Sequence, residues 1–260
     1  MLRVVDLSVS YMLNTSIATP KVIEGMSFEI PKGGYCSVVG PSGCGKTTLL
    51  LCIAGLVQPA AGKIELDGMS AATVREGHRI GLVFQKPVFF EWKTVLANVA
   101  LAAEISGKEG ATNQASRYLM EFHSDGFASA FPHELSGGML SRAALARALV
   151  HEPDYLLLDE AFNHLDEALR DTINLDIQNL WLSRKPTVVA VTHSISEAIL
   201  MSDSVLVMSR KPSRILQSFE VPFERPRFTS LRADQRFTAL AEEIRATLGY
   251  AYREAGDALN

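Results

Sequence analysis

The chain is poor in cysteine, in aromatic residues and in excess positive charge, and each shortage narrows what it can be. Of its 260 residues only three are cysteine and two are tryptophan, and aromatics make up 8%. Cys36, Cys44 and Cys52 are too few and too evenly spread for a disulfide framework and form no C-x-x-C metal pair, so reduced thiols are expected. No apolar run reaches the roughly 18 to 20 residues that a membrane-spanning helix needs. The opening Met1-Leu-Arg-Val-Val-Asp6 lacks the apolar core of a secretory leader, so the chain is expected to stay in the cytosol. Lys and Arg number 25 against 29 Asp and Glu, a formal charge of -4, and the basic clusters are short. Direct binding of nucleic acid is therefore not expected.

What is present is enough apolar sequence for a large core: 47% hydrophobic residues with 21% charged ones. Short, often β-branched segments predict strands over 2–10, 22–30, 35–39, 63–66, 80–84, 155–158, 188–191 and 205–208. Helical spacing predicts helices over 47–54, 95–103, 116–122, 136–150, 167–182 and 196–201. Strands dominate the first part and alternate with helices in the second, which indicates an α/β fold with an added antiparallel portion. Asp67-Gly68 reads as a turn closing a short strand pair. Pro212, Pro222 and Pro226 interrupt the pattern before a last helical stretch, 231–248. That stretch is expected to dock on the rest, because about 40 residues bury little core alone.

The most telling segment is Gly40-Pro41-Ser42-Gly43-Cys44-Gly45-Lys46-Thr47-Thr48, between a predicted strand and a predicted helix. It fits G-x-x-x-x-G-K-[ST], a loop that cradles phosphate. Glycines at 40, 43 and 45 let backbone amides turn inward without side-chain obstruction. Lys46 adds a mobile positive charge, Thr47 a hydroxyl for Mg²⁺, and the following helix its positive dipole end. Cys44 lies inside this loop, either as a small filling residue or as a thiol whose modification blocks nucleotide.

A second site closes the apolar run Tyr155-Leu-Leu-Leu158 with two adjacent carboxylates, Asp159 and Glu160. Their side chains project differently, so Asp159 is the candidate Mg²⁺ partner and Glu160 the candidate general base for an attacking water. Between the two sites, Ser136-Gly137-Gly138 opens a strongly helical stretch and offers amides for a further phosphate contact.

Taken in order, these motifs resemble the ATP-binding subunits of ABC transporters over roughly residues 1–220. The resemblance implies a P-loop NTPase of ABC type, with a RecA-like core, an antiparallel β subdomain and a helical subdomain near 88–150; the C-terminal helical extension over 221–260, read from helical spacing, lies beyond it. It implies ATP and Mg²⁺ as ligands, Tyr11 stacking on adenine, Gln85 as the Q-loop glutamine that helps hold Mg²⁺, His193 as the switch histidine, and Asp166 at the end of the D-loop. Ser136, Gly137 and Gly138 would reach the ATP held by a second copy in a homodimer. Within the family, the sequence around 88–100 and 207–215 is similar to the nitrate, taurine and aliphatic sulfonate importers. That similarity implies separate permease subunits, an extracytoplasmic solute-binding protein acting indirectly, and a peripheral place on the cytoplasmic face of the inner membrane. Phe89, Phe90 and Trp92 then either face the permease or fill the core. Leu140-Ser141, Ala161, Asn163-His164 and Ser194 depart from the usual family residues, and none of them removes a phosphate, metal or base group. Two other readings remain at this point: a soluble ABC ATPase acting on nucleic acid or ribosomes, and a regulatory module that binds ATP without cleaving it.

Overall fold

The computed structural model describes residues 1–10, 21–162 and 165–253. They form two compact units, Met1–Arg75 together with Thr187–Asn260, and Glu76–Pro186. The first unit begins with β1 (Leu2–Ser10), β2 (Lys21–Ile30), β3 (Tyr35–Val39), α1 (Lys46–Ile53), β4 (Ala61–Leu66) and β5 (Met69–Ser70), and α2 (Ala71–Glu76) closes this stretch. Strands β2, β1, β4 and β5 make an antiparallel sheet in that order.

One detail of β1 sets the face of that sheet. Leu2, Val4, Leu7 and Val9 are all 0% exposed, yet the step from Val4 to Leu7 is odd. Strict alternation would send Leu7 to the opposite face. Asp6, at φ +49°, absorbs the extra residue as a bulge, and the pairing with both neighbouring strands shifts there. Gly62 of β4 crosses this bulge at φ +80°, where an added Cβ would stand 2.2 Å from the Asp6 carbonyl oxygen.

The second unit contains β6 (Ile80–Val83), α3 (Val95–Ile105), α4 (Ala111–Glu121), α5 (Gly137–Leu149), β7 (Tyr155–Asp159) and α6 (Glu167–Arg184). Strands β6 and β7 pair in parallel from Ile80↔Tyr155 to Val83↔Leu158. The three helices α3, α4 and α5 pack on one another. Their starts are fixed locally: Thr94 caps α3 by accepting the Ala97 N–H, and α4 starts after Gly110, which adopts a left-handed conformation. That glycine moves the beginning of α4 to Ala111, earlier than helical spacing predicts.

From Thr187 the chain continues in the first unit with β8 (Thr187–Val191), α7 (Ile195–Met201), β9 (Ser204–Met208), β10 (Ile215–Glu220) and α8 (Gln235–Arg253). Here β3 lies parallel to both β8 and β9, and β10 runs antiparallel on β9. Strands β3 and β8 are buried along their whole length, which is why they read as unbroken apolar runs. The C-terminal segment is fastened by Arg227, whose buried guanidinium donates to the carbonyls of Phe223, Val221, Ile199 and Ser202 at 2.5–3.2 Å. Burial, with Arg225 nearby, pushes its pKa down to about 10, so it stays charged at neutral pH. Helix α8 packs on α7, β9 and β10 and buries Phe237, Ile244 and Ala251.

The contact at Gly62 yields a stability prediction. Gly62→Ala is expected to destabilise the first unit by about 2 kcal/mol or more, since it adds strain and a backbone clash together. A thermal melt checks this, and an unchanged midpoint contradicts the account of the bulge.

Candidate nucleotide site

The phosphate loop leaves the buried strand β3 and enters α1. Gly45, the residue before α1, sits at φ +111°, and an added Cβ would lie 2.8 Å from Val22 Cγ1. No side chain caps α1 and its first turn carries no acid, so no charge there opposes the positive end of the helix dipole. Lys46 is 5% exposed. Its ammonium donates to the carbonyl oxygens of Gly40 and Pro41 at 3.0 and 3.1 Å. Among the described residues these partners are neutral, and a buried cation without a counter-charge favours an anionic ligand. Thr47 faces solvent and Thr48 is buried.

A residue that sequence reasoning missed braces this loop. Ser213, fully buried between β9 and β10, has its hydroxyl 2.6 Å from the Cys44 carbonyl and 2.7 Å from the Val22 carbonyl, donating its single proton to one at a time. Its backbone also pairs with β2: the Ser213 N–H donates to Val22 and its carbonyl accepts from Glu24. No local motif marks it, since both hydroxyl partners are backbone atoms far away in sequence.

In the second unit, β7 delivers Asp159 buried at its end, and Glu160 follows at φ +48°. That backbone region is uncommon for a residue with a side chain and turns the carboxylate away from the strand direction. Because β6 lies beside β7 in register, the chain leaving β6 brings Gln85 next to Glu160, and its Nε2 donates to Oε2 at 2.9 Å. Ser136 caps α5 by accepting the Met139 N–H, and Asp166 caps α6 by accepting the Leu169 N–H at 2.9 Å. Gly137 is exposed, and an added Cβ on Gly138 would meet Leu165 Cδ2 at 3.1 Å. The phosphate loop and His193 thus belong to the first unit, and Gln85, Asp159, Glu160, the serine-glycine pair and Asp166 to the second.

His193 is exposed just beyond β8, flanked by Thr192, whose hydroxyl accepts the Ser194 N–H, and by Ser194, which caps α7. Tyr11 and the Asn163-His164 pair lie outside the described residues. The aromatic trio divides: Phe89 is buried, whereas Phe90 and Trp92 are 43% and 74% exposed with ring centroids 5.1 Å apart. No helix among the described residues is long and apolar enough to cross a membrane.

A glycine-lined loop between a buried parallel strand and a helix, holding a buried lysine, defines a nucleotide-phosphate-binding α/β protein. The family described as ABC transporter matches residues 23–163. The taurine import ATP-binding protein TauB of Rhizobium johnstonii is 41% identical over 238 residues, 88% of this chain and 90% of that protein. The aliphatic sulfonates import ATP-binding protein SsuB of Bacillus cereus is 39% identical over 220 residues, covering 84% and 86%. Among solved structures, the dimeric post-hydrolysis state of the ATP-binding cassette MJ0796 bound to ADP and Pi is similar with a TM-score of 0.78 at 26% identity, covering 86% of this chain and 100% of that one. The chain therefore belongs to the ABC transporter family.

Cys44 gives this site a measurable chemistry. Its thiol is buried, and desolvation raises its pKa above the ordinary value, outweighing the opposing pull of Lys46. The folded protein is expected to alkylate at Cys44 at least about tenfold more slowly than the unfolded chain at neutral pH, with the rate rising only above the usual thiol range. Mass-spectrometric alkylation kinetics check this, and equal rates folded and unfolded contradict it.

Proposed function

We propose that the protein hydrolyses ATP to drive import of a small solute through a separate permease, with taurine and related sulfonates the favoured class. The phosphate loop carries this reading, because a buried ammonium beside an uncapped helix start is matched by a polyphosphate. The solute class rests on the relatives named for taurine and aliphatic sulfonate import, and nitrate remains within the same reading.

In this reading Lys46 and the amides of residues 40–48 hold the β- and γ-phosphates. Thr47, Asp159 and Gln85 would supply oxygen ligands suited to Mg²⁺, a hard dication bound through one or two carboxylates with phosphate and water oxygens around it. The ion, when bound, neutralises charge on the phosphates. Glu160 accepts a proton from the attacking water, and Gln85, already bonded to its carboxylate, sets where that oxygen points. His193 contacts the γ-phosphate, and Tyr11 stacks on adenine.

A second copy completes the pocket with its Ser136, Gly137 and Gly138, and Asp166 lies at the seam. ATP thereby favours a closed dimer and hydrolysis releases it, a population shift driven by differential contacts. Residues 1–220 act as the cassette and 221–260 as a C-terminal extension, whose α8 packs on α7, β9 and β10. In this reading Phe90 and Trp92, exposed after Gln85, face the permease, and the protein works peripherally at the inner face of the membrane.

Glu160→Gln is expected to lower ATP turnover by about a hundredfold or more while ATP still holds the dimer together. Steady-state phosphate release and light scattering measure the two effects. Equal turnover in parent and variant would leave a non-hydrolysing ATP-binding module in its place. Recovery of ribosomes or DNA-repair proteins instead of a multi-span permease on purification from membranes would overturn the import role.

A further inference from the structure

The segment that follows Gln85 is held by side chains whose purpose neither the phosphate loop nor the carboxylate pair accounts for. Arg147, on α5, places its guanidinium carbon 4.5 Å over the ring centroid of Phe89 and donates from Nη1 to the Val88 carbonyl. A planar guanidinium can stack and donate at once, which an ammonium cannot reproduce. From α3, the buried Asn98 grips the same segment: it accepts the Phe90 N–H at 2.8 Å and donates to the carbonyls of Phe90, Lys93 and Thr94. The first N–H groups of α3, those of Val95 and Leu96, donate to the carbonyls of Ala130 and Ala128, on the stretch leading into Ser136.

We propose that Arg147 is a positioning residue that ties the Val88–Trp92 segment to the helix opened by Ser136, Gly137 and Gly138, so that nucleotide at those three residues alters the segment carrying Phe90 and Trp92. The inference rests on the reading that the serine-glycine turn engages ATP. Phe89, buried beneath Arg147, is the handle, and the exposed pair Phe90 and Trp92 is the surface that it moves.

Hydrogen exchange followed by mass spectrometry on the full chain tests this, in the Glu160→Gln background with and without Mg²⁺ and ATP. ATP is expected to slow exchange at both 136–140 and 88–94 by about threefold or more. With Arg147→Met added, the ATP effect at 136–140 stays and the effect at 88–94 disappears. Arg147→Lys, whose ammonium cannot stack and donate at once, loses it too, and Phe89→Leu, which keeps the arginine, loses it as Arg147→Met does and serves if the methionine variant does not fold. A purely structural arginine would raise exchange at 88–94 equally with and without ATP and leave the ATP-dependent difference intact, which overturns the proposal. No ATP effect at 88–94 in the background protein also overturns it. Absence of protection at 136–140 before any change at Arg147 overturns the nucleotide reading beneath it, and so marks the separate failure.

Discussion

Gly45 occupies a backbone conformation that a side chain makes costly, and Val22 leaves no room for one in any case. This double constraint shapes the phosphate loop. Because the chain turns there without a β-carbon, α1 can start immediately after it, and Lys46, the first helical residue, is drawn inward over the carbonyls of Gly40 and Pro41. The loop is then held from outside by Ser213, which links the Cys44 carbonyl to β2. Removing water from a cation is expensive, so a fold that buries this ammonium against neutral oxygens keeps a place whose natural complement is negative charge.

The glutamate site follows a different logic. Parallel pairing of β6 and β7 makes two chain segments end side by side, and the left-handed turn at Glu160 swings its carboxylate toward the amide of Gln85. Strain of this kind persists where surrounding structure holds it, and here the buried strand before it and the hydrogen bond beside it both do so. Ser136 and Asp166, meanwhile, each cap a helix within their own chain. Capping fixes where those helices begin, and with it the position of the glycines that follow Ser136.

Eight strands were legible because their apolar patterns are long or continuous, and their observed ends lie within two residues of the expected ones. Ile215–Glu220 escaped notice: prolines on either side mask it, and Phe219 is its one buried residue. The site's charged and glycine residues were legible because their chemistry is written in consecutive positions. Ser213, Asn98 and Arg147 were not, since each acts on main-chain carbonyls or a ring brought near only by folding. Arg227 was hidden for the same reason, its carbonyl partners being spread from Ile199 to Phe223.

The bulge at Asp6 has a bearing on how the length of this chain can vary. Strand β1 already accommodates one odd residue, and both of its neighbours are registered to that irregularity, with Gly62 shaped to pass over it. A further single-residue insertion between Asp6 and Leu7 would rotate Leu7 and Val9 out to water, whereas a two-residue insertion preserves the inward face. Homologous chains that differ in length near their first strand should therefore differ there by even steps, or shift the irregular position together with its glycine.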